Sequence, residues 1–345
     1  LKPEKQLMDM PSAIRAVTES RDLNAQEMTA VMRTIMTGEA TAAQIGGFLV
    51  GLRMKGETVT EIAAAAKVMR ELATPVSVDV AHLVDTCGTG GDGQSTFNIS
   101  TASAFVVAGA GAHVAKHGNR SVSSSSGSAD VLEAAGVRLD LSAEQVARCI
   151  HEVGLGFMFA QMHHGAMRHA IGPRREMGVR TVFNVLGPLT NPAAAPFQLI
   201  GVFSAELLEP MANVLGQLGS RRVLVVCADD GLDEISIGAA TQVAEWNGTH
   251  VVRYVIEPQQ FGLACAALDT IKASDAHDSL RTIRAIFAGS TGPARDVVLL
   301  NAGAALYACE RAHSLADGVQ MAAQSIDCGE AGRRLDALVS LSQSF

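Results

Sequence analysis

The spacing of apolar residues divides this 345-residue chain into a helical first part and a longer part in which strands and helices alternate. Between residues 11 and 73, apolar residues recur every three or four positions, which is the spacing of one face of an α-helix. This pattern predicts four short helices, whose apolar stripes we assign to a core rather than to a cofactor site. The stripe residues are Met28, Val31, Met32, Ile35, Ile45, Phe48, Leu49, Leu52, Ile62, Ala65, Ala66, Met69 and Leu72.

Capping residues mark where three of these helices begin. In each case a polar residue stands three positions before an acid or an amide, so that the two side chains can satisfy backbone N–H groups reciprocally. The pairs are Asn24 with Glu27, Thr41 with Gln44, and Thr58 with Glu61. Residues 11–73 are therefore predicted to form an all-α unit.

From His82 onward, short apolar runs alternate with helical patterns, as a mostly parallel sheet requires. The predicted strands are residues 83–85, 113–116, 157–160, 198–202 and 223–228, and the predicted helices start near Asn98, Ser128, Ser142, His164 and Ala205. Asn247-Gly248 predicts a two-residue turn between two antiparallel strands that extend the sheet. Residues 296–345 are predicted to be helical again.

The predicted fold class is therefore α/β. A small N-terminal all-α domain precedes a larger α/β domain, whose central sheet is mostly parallel and carries added antiparallel strands. We place the helical domain at residues 1–76 and the larger domain at residues 77–345.

The composition narrows the class of protein. A net charge of −8 and a pI near 5.7 argue against nucleic acid or an anionic membrane as a partner, because both attract clustered Lys and Arg. The six cysteines are scattered without a C-x-x-C pair, which is typical of reduced thiols in a cytoplasmic protein. Without a charged-then-apolar leader or an apolar stretch long enough to span a bilayer, we expect a soluble, cytoplasmic protein.

A glycine-rich turn follows the first predicted strand. Gly88-Thr89-Gly90-Gly91-Asp92-Gly93 stands between the apolar residues of that strand and a helical pattern that includes Ile99. Such a turn exposes backbone N–H groups at the start of a helix, where the helix dipole favours an anion. By itself it is more often only a tight connection.

Two further polar segments accompany this turn. Asn98-Ile99-Ser100-Thr101 places an amide and two hydroxyls where they can cap the helix or bind phosphate and the water shell of a metal. Lys116-His117-Gly118-Asn119-Arg120 follows the next strand, offers cations, and leads into a serine-rich run that ends at Ser128. Because loops at the carboxyl ends of parallel strands converge on one crevice, the three segments together predict a polyphosphate site.

The chain resembles the anthranilate phosphoribosyltransferases of tryptophan biosynthesis. The likeness is carried, in order along essentially the whole chain, by DTCGTGGDGQSTFNIST, KHGNRSVSSSSGSADVLEAAG, GVRTVFNVLGPLTNPA and DDGLDEIS. It implies Mg²⁺-dependent transfer of the phosphoribosyl group from 5-phosphoribosyl 1-diphosphate to the amine of anthranilate, giving N-(5-phosphoribosyl)anthranilate and diphosphate. It also implies that a segment near residues 173–192 returns to the helical domain.

The resemblance implies residues for each substrate and no covalent catalyst. Those for phosphoribosyl diphosphate are Gly88, Gly91, Asp92, Thr96, Asn98, Ser100, Thr101, Lys116, Asn119, Ser124 and Ser128. Those for anthranilate are Gly88, His117, Asn119, His164, Arg174 and Pro188. Lys116 is the expected charge partner of a phosphate, and Arg174 is the expected partner of the anthranilate carboxylate. His163 has no such match.

Asp233 and Glu234 follow the last parallel strand through a DDGL turn. Alone, two adjacent carboxylates are usually solvated. Opposite a diphosphate they suit Mg²⁺, which prefers one or two carboxylates, retained waters and substrate oxygens. The resemblance implies that Asp233, Glu234 and Ser100 are the metal ligands.

The resemblance also implies a homodimer joined through helices within residues 11–73. The apolar stripes of these helices support this expectation, because they exceed what a small bundle can bury. Part of the stripe is therefore predicted to lie between subunits.

Two other functions share part of this pattern. A pyrimidine nucleoside phosphorylase would have the same fold and bind phosphate in a similar glycine loop, but Asp233-Glu234 and the KHGN segment favour a diphosphate donor. A nucleic-acid-binding relative that had lost catalysis would show a basic surface and eroded loops. This chain is acidic and its loops are intact.

Overall fold

A computed structural model describes residues 8–121 and 126–345 of the chain. The chain divides into two compact units. The helical unit comprises Leu1–Ala73 and His164–Thr190, and the sheet unit comprises Thr74–His163 and Asn191–Phe345. In the part described, no helix has both the length and the apolar character needed to cross a membrane.

The helices and strands are numbered in chain order. The helices are α1 (Met10–Thr18), α2 (Ala25–Met36), α3 (Ala42–Lys55), α4 (Val59–Leu72), α5 (Ile99–Gly109), α6 (Ser128–Ala134), α7 (Ala143–Val153), α8 (Ala160–His163), α9 (Arg168–Met177), α10 (Phe183–Leu186), α11 (Leu208–Gln217), α12 (Ala276–Phe287), α13 (Pro293–Ala308), α14 (Leu315–Asp327) and α15 (Glu330–Gln343). The strands are β1 (Leu83–Gly88), β2 (His113–Gly118), β3 (Leu155–Phe159), β4 (Phe197–Gly201), β5 (Arg222–Ala228), β6 (Thr241–Trp246) and β7 (Val251–Ile256).

The predicted helices are confirmed, with two later starts. The helix expected near His164 begins at Arg168, after a 3₁₀ turn at Gly165–Met167, and the one expected near Ala205 begins at Leu208, after a 3₁₀ turn at Ala205–Leu207. In both places the first turn is wound more tightly than an α-helix, a common way for a helix to start.

Local capping chemistry sets the starts of α2, α3 and α4. All three predicted capping boxes are present, with bonds in both directions. Each cap typically contributes about 1 kcal/mol. The predicted stripe residues are buried, but Leu72 is 37% exposed, so its assignment to the core was wrong. Leu72 is the last residue of α4. Helical spacing shows which face of a helix is apolar, but it does not show how far along the helix the neighbouring elements cover that face.

The described part of the sheet unit forms a seven-stranded sheet in the order β3-β2-β1-β4-β5-β6-β7. Neighbouring strands from β3 to β5 are parallel, whereas β6 and β7 are added antiparallel. β1, β4 and β5 are buried along nearly their whole length, as expected for parallel strands covered on both faces. The predicted fold class is confirmed.

The connection between β6 and β7 is longer than the sequence predicted. Trp246 pairs with Val251, so the loop holds residues 247–250 rather than a two-residue turn. Asn247 explains the difference, because its Oδ1 accepts the backbone N–H groups of Thr249 and His250, each at 3.1 Å. The side chain takes over part of the hydrogen bonding of the turn.

A buried ion pair joins α3 and α4 to the segment between α1 and α2. The Lys55 ammonium lies 2.9 Å from the Glu61 carboxylate and 2.6 Å from Asp22. Glu61 is fully buried and also accepts the backbone N–H groups of Leu23 and Thr58, each at 2.8 Å. Both oxygens of Glu61 therefore have donors, which offsets the cost of removing its charge from water.

Replacing Lys55 with methionine is expected to lower the free energy of unfolding by about 3–5 kcal/mol, because Glu61 would stay buried without its cation. Urea denaturation followed by circular dichroism measures this change. Lys67 is exposed on α4, so Lys67→Met is the matched control and is expected to stay within about 0.5 kcal/mol of the unsubstituted protein. Equal unfolding free energies for the two variants would contradict a stabilising role for the pair.

Candidate active site

The polar loops singled out in the sequence all follow the carboxyl ends of strands in the sheet. β1, β2, β4 and β5 are parallel, so their last residues, Gly88, Gly118, Gly201 and Ala228, lie on the same side. The strand order reverses its direction between β1 and β4. Open α/β sheets bind ligands outside the carboxyl ends of the strands at such a reversal. The glycine-rich turn leaves β1 at this point.

The glycine-rich turn depends on the absence of side chains. Gly90, Gly91 and Gly93 have φ angles of 65°, 80° and 73°, a region that glycine enters without steric cost. A Cβ on Gly88 would lie 3.0 Å from Asp233 Oδ2. The backbone N–H of Gly90 donates to the same oxygen at 2.7 Å. The turn is therefore shaped for close approach of an oxygen-bearing group.

Asp233 and Glu234 lie beside this turn. The segment that carries them crosses the end of β4 so closely that a Cβ on Gly201 would lie 1.4 Å from the Asp233 carbonyl oxygen. Glu234 Oε1 accepts the backbone N–H of Ser100 at 3.2 Å. Both carboxylates are half-buried, and Asp92 of the glycine-rich turn lies against Asp233.

Three carboxylates thus share a small volume. Burial and the charges of Asp92 and Glu234 raise the pKa of Asp233 well above its ordinary value. Burial also raises the pKa of Glu234 to about 7, although Lys116 opposes this. Burial and like charges thus disfavour the ionised carboxylates even with Lys116 beside Glu234, and a divalent cation would favour them.

The donor atoms fit Mg²⁺. The set combines two carboxylates with the hydroxyl of Ser100, and hard oxygen donors are what this ion prefers. Over residues 8–121 and 126–345, no group of three or more His, Cys, Asp or Glu residues is arranged to hold a metal by itself. A metal here would therefore take further oxygens from water or from a ligand.

Lys116 is buried between β1 and the start of α5. Its ammonium donates to the carbonyl of Thr86 and, at 3.2 Å, to the hydroxyl of Ser100. Burial lowers the pKa of Lys116, and the charges of Asp85 and Glu234 oppose this. The lysine predicted as a phosphate partner therefore also fixes Ser100 beside the carboxylates.

Asn98 links three segments instead of capping α5 with its side chain. Its Oδ1 accepts the hydroxyls of Ser126 and Ser279, each at 2.8 Å, and its Nδ2 donates to the Ser126 carbonyl at 3.2 Å. Ser279 lies on α12 and was not singled out in the sequence. Asn98 thereby connects the start of α5 with the serine-rich loop and with α12.

Thr96 and Thr101 flank Asn98 in the sequence. Thr96 forms an isolated antiparallel bridge with Lys272. Thr101 is 1% exposed, and its hydroxyl has no hydrogen-bond partner among the residues that the structure describes. A buried hydroxyl without a partner is costly, so a ligand oxygen would stabilise Thr101.

His117 lies in β2, Asn119 begins the loop that follows this strand, and Ser128 is the first residue of α6. His117 is buried, Asn119 is exposed, and the Ser128 hydroxyl donates to the Asn119 carbonyl at 3.4 Å. Ser124 lies outside the described residues. Asn119 and Ser128 thus meet although nine residues separate them in the sequence.

Asp85 and Asn191 were missed in the sequence. Asp85 is fully buried in β1, where it accepts the His117 backbone N–H at 3.1 Å and the Asn191 side-chain amide at 2.7 Å. The same amide donates to the Ala115 carbonyl at 2.8 Å. These bonds fasten the end of β2, where the polar loop begins. The sequence feature that could have pointed to Asp85 is a carboxylate within a mostly apolar strand.

The remaining residues predicted to bind anthranilate, which are His164, Arg174 and Pro188, belong to the helical unit. Arg174 lies on α9, with its guanidinium carbon 5.2 Å from the centre of the Phe183 ring. Burial lowers the pKa of Arg174. His164 and Pro188 are buried, the latter in a 3₁₀ turn at Gly187–Leu189. His163 belongs instead to the sheet unit, where its Nδ1 lies 3.0 Å from the Thr74 carbonyl oxygen.

Two family models match the chain. Residues 11–73 match the helical bundle domain of a glycosyl transferase family, and residues 80–332 match the a/b domain of a glycosyl transferase family. The fold and the site therefore define a glycosyltransferase built on a helical bundle and an α/β sheet domain.

Individual relatives narrow this class. Anthranilate phosphoribosyltransferase of Thioalkalivibrio sulfidiphilus is 66% identical over 337 residues, which are 98% of this chain and 100% of the relative. The crystal structure of the Thermus thermophilus enzyme of that name is 43% identical with a TM-score of 0.91, covering 96% of this chain and 99% of that one. The Saccharomyces cerevisiae enzyme in complex with PRPP and Mg is 26% identical with a TM-score of 0.89, covering 97% and 98%. The chain belongs to the anthranilate phosphoribosyltransferase family.

Proposed function

We propose that this chain transfers the phosphoribosyl group of 5-phosphoribosyl 1-diphosphate to the amine of anthranilate and releases diphosphate, as a step of tryptophan biosynthesis. The observation that carries this proposal is the contact between the glycine-rich turn and Asp233 at the carboxyl edge of the sheet. Backbone N–H groups suit a diphosphate, and the carboxylates suit the metal that would accompany it. Membership of the family supports the same activity.

The donor is assigned to the sheet unit. As the bond between C1 and the diphosphate oxygen breaks, negative charge grows on the leaving group. The glycine-rich turn, the hydroxyls of Ser100 and Thr101, and the Lys116 ammonium provide donors that can hold this charge. Because Lys116 already holds the Ser100 hydroxyl and Asp233 already holds the turn at Gly90, little reorganisation of these groups is needed during the reaction.

Mg²⁺ is assigned to Asp233, Glu234 and Ser100. When bound, the ion would add positive charge beside the diphosphate oxygens and so stabilise the leaving group. The raised carboxyl pKa values of Asp233 and Glu234 support this assignment, because a bound cation would favour the ionised forms that burial and the neighbouring carboxylates disfavour.

The anthranilate carboxylate is assigned to Arg174. A guanidinium can hold a carboxylate through two parallel hydrogen bonds. The Phe183 ring supports the guanidinium by a cation–π contact and leaves its edge available for hydrogen bonds. With the amine held near C1, its own lone pair is the nucleophile, and the protein acts by positioning and by electrostatics.

Identification of the products tests the proposed function. Purified protein is incubated with phosphoribosyl diphosphate, anthranilate and Mg²⁺, and the products are examined by mass spectrometry. The expected products are N-(5-phosphoribosyl)anthranilate and diphosphate in equal amounts. A parallel incubation with uridine or thymidine and inorganic phosphate is expected to give neither ribose 1-phosphate nor deoxyribose 1-phosphate. Product only in the second incubation would replace this proposal with nucleoside phosphorolysis.

We also propose a homodimer formed through α3 of the helical unit. The predicted stripes cannot be its basis, because all their residues except Leu72 are buried within the single chain. The outward face of α3 instead carries Ala43, Gly47, Val50 and Met54, all exposed and spaced at helical intervals, with Met54 83% exposed. A second copy of the same helix would cover this face, and the small residues would let two helices approach closely.

Met54→Glu is expected to convert the dimer into a monomer, since it places a charge at the most exposed large apolar side chain of this face. Light scattering coupled to size-exclusion chromatography at micromolar concentration measures the mass. Val252 is 40% exposed on the edge strand β7, and Val252→Glu is the matched control that should leave a dimer. A monomeric unsubstituted protein, or a dimeric Met54→Glu variant, would contradict this interface.

We propose a cytoplasmic enzyme, and the six free cysteines, four of them buried, support a reducing compartment. We also propose that the helical unit and the sheet unit are the two domains expected from the sequence.

A further inference from the structure

One carboxylate closes the loop that follows β2. Asp130 Oδ2 accepts the backbone N–H of Ser121 at 3.0 Å and the backbone N–H of Gly127 at 2.8 Å. These two residues stand at the two ends of the loop. We call residues 118–121 and 127–130 the neck of this loop. Asp130 therefore acts across the neck and not only on the first turn of α6.

The two sides of the neck touch backbone to backbone. A Cβ on Gly127 would lie 2.4 Å from the Ser121 nitrogen and 2.5 Å from the Asn119 carbonyl oxygen. A Cβ on Gly118 would lie 2.1 Å from the Ser128 hydroxyl oxygen. No side chain fits at Gly127 unless the neck opens, because the atoms that it would meet belong to the backbone. The close approach is what brings both N–H groups to one carboxylate oxygen.

Arg120 occupies the other oxygen of Asp130. Its Nη1 donates to Asp130 Oδ1 at 3.0 Å, and its two terminal nitrogens donate to the two Glu133 oxygens at 2.7 and 2.8 Å. The guanidinium also lies over the Phe159 ring at 5.7 Å. Arg120 was among the cations considered for phosphate from the sequence. In the structure its guanidinium instead pairs with two carboxylates of α6. Both oxygens of Asp130 have donors within the chain.

We propose that Asp130 is a positioning residue for the donor substrate. By closing the neck it fixes Asn119 and Ser128, which lie on opposite sides of it and were assigned to phosphoribosyl diphosphate. This inference rests on the proposed function, because it concerns how the same site holds its donor. Asp130 itself need not touch the substrate.

The physical reason is the cost of ordering a loop. Ordering the backbone of a flexible loop when a ligand binds costs conformational free energy, and a loop that is already fixed avoids this cost. The cost would fall on donor binding, since Asn119 and Ser128 meet only when the neck is closed. If Asp130 only capped α6, replacing it would lower the melting temperature but would not change the KM for one substrate more than the KM for the other.

Steady-state kinetics with each substrate varied in turn test the proposal on the full chain. Asp130→Ala is expected to raise the KM for phosphoribosyl diphosphate about tenfold. The kcat and the KM for anthranilate are expected to change less than about threefold. Asp130→Asn keeps an oxygen for the two N–H groups, so its donor KM should rise only about threefold. Gly127→Ala should resemble Asp130→Ala, because it opens the same neck.

Glu133→Ala is the matched control. Glu133 lies on the same helix and pairs with the same arginine but makes no bond across the neck, so its donor KM should stay within about twofold. A donor KM unchanged in Asp130→Ala and in Gly127→Ala overturns the inference. If Asp130→Ala does not fold, the other two variants decide. A donor KM that is unchanged in both Asp130→Asn and Gly127→Ala then overturns the inference. An equal rise for both substrates also overturns it. Unsubstituted protein is assayed alongside, so that absent turnover there points to failure of the proposed function instead.

Discussion

Replacing Asp233 with asparagine and Glu234 with glutamine in one variant is expected to lower kcat/KM for phosphoribosyl diphosphate by about 100- to 1000-fold. The two carboxylates are the groups best placed to hold Mg²⁺, and neutral amides hold it weakly. The fold should survive, because an amide oxygen can still accept the Gly90 N–H and the like charges of Asp92 and Asp233 no longer oppose each other. Thermal melting without Mg²⁺ should therefore show no loss of stability.

Asp229→Asn is the matched control for this variant. Asp229 is exposed on the turn that precedes Asp233 and Glu234, and it accepts the Gln242 amide at 3.3 Å. Its kcat/KM should stay near that of the unsubstituted protein. A second readout needs no turnover: Mg²⁺ with phosphoribosyl diphosphate should raise the melting temperature of the unsubstituted protein and of the control, but not of the double variant. Near-native turnover of the double variant would show that the metal has been placed on the wrong residues.

Arg174→Ala is expected to raise the KM for anthranilate about 10- to 100-fold, because it removes a charge-assisted contact worth about 1.5–3 kcal/mol. The KM for phosphoribosyl diphosphate should change little, since the donor is assigned to the sheet unit. Arg174→Lys should recover only part of the loss, because an ammonium cannot form two parallel hydrogen bonds with a carboxylate. Steady-state kinetics with each substrate varied in turn measure both values.

Arg175 provides the control for this substitution. It is the next residue on α9 and is exposed, so Arg175→Ala should leave both KM values near those of the unsubstituted protein. An equal rise for the two substrates in Arg174→Ala, or a rise for the donor alone, would mean that Arg174 does not hold the anthranilate carboxylate.

Features set by neighbouring residues could be predicted from the sequence. The boxes at Asn24, Thr41 and Thr58 involve residues three positions apart, and all three form as expected. The turn after Asn247 was predicted with the wrong length, because a side-chain bond over three positions competes with the backbone preference of Asn-Gly. Leu72 was misassigned because the burial of a helix end depends on what packs beside it.

Contacts between distant residues could not be predicted in this way. The Asp85–Asn191 bond joins residues 106 positions apart, and the Asn98–Ser279 bond joins residues 181 positions apart. Nothing near Ser279 in the sequence indicates that its hydroxyl reaches the start of α5. Such contacts follow from the order of the strands and helices, which becomes visible only once the chain has folded.

Lys116 and Arg120 were both singled out in the sequence for their charge, and both have partners that the sequence did not indicate. The structure buries Lys116 against Thr86 and Ser100, and it pairs Arg120 with Asp130 and Glu133. The sequence shows which residues carry charge, whereas the partner of each charge depends on the folded chain.

The loss of anthranilate fluorescence tests the proposed transfer most directly. The full chain is mixed with anthranilate, phosphoribosyl diphosphate and Mg²⁺, and circular dichroism establishes beforehand that it is folded. We predict a steady decrease that needs protein, donor and Mg²⁺ together, stops when EDTA is added and resumes when Mg²⁺ is restored. A folded protein that leaves the fluorescence unchanged under these conditions would contradict the proposed function.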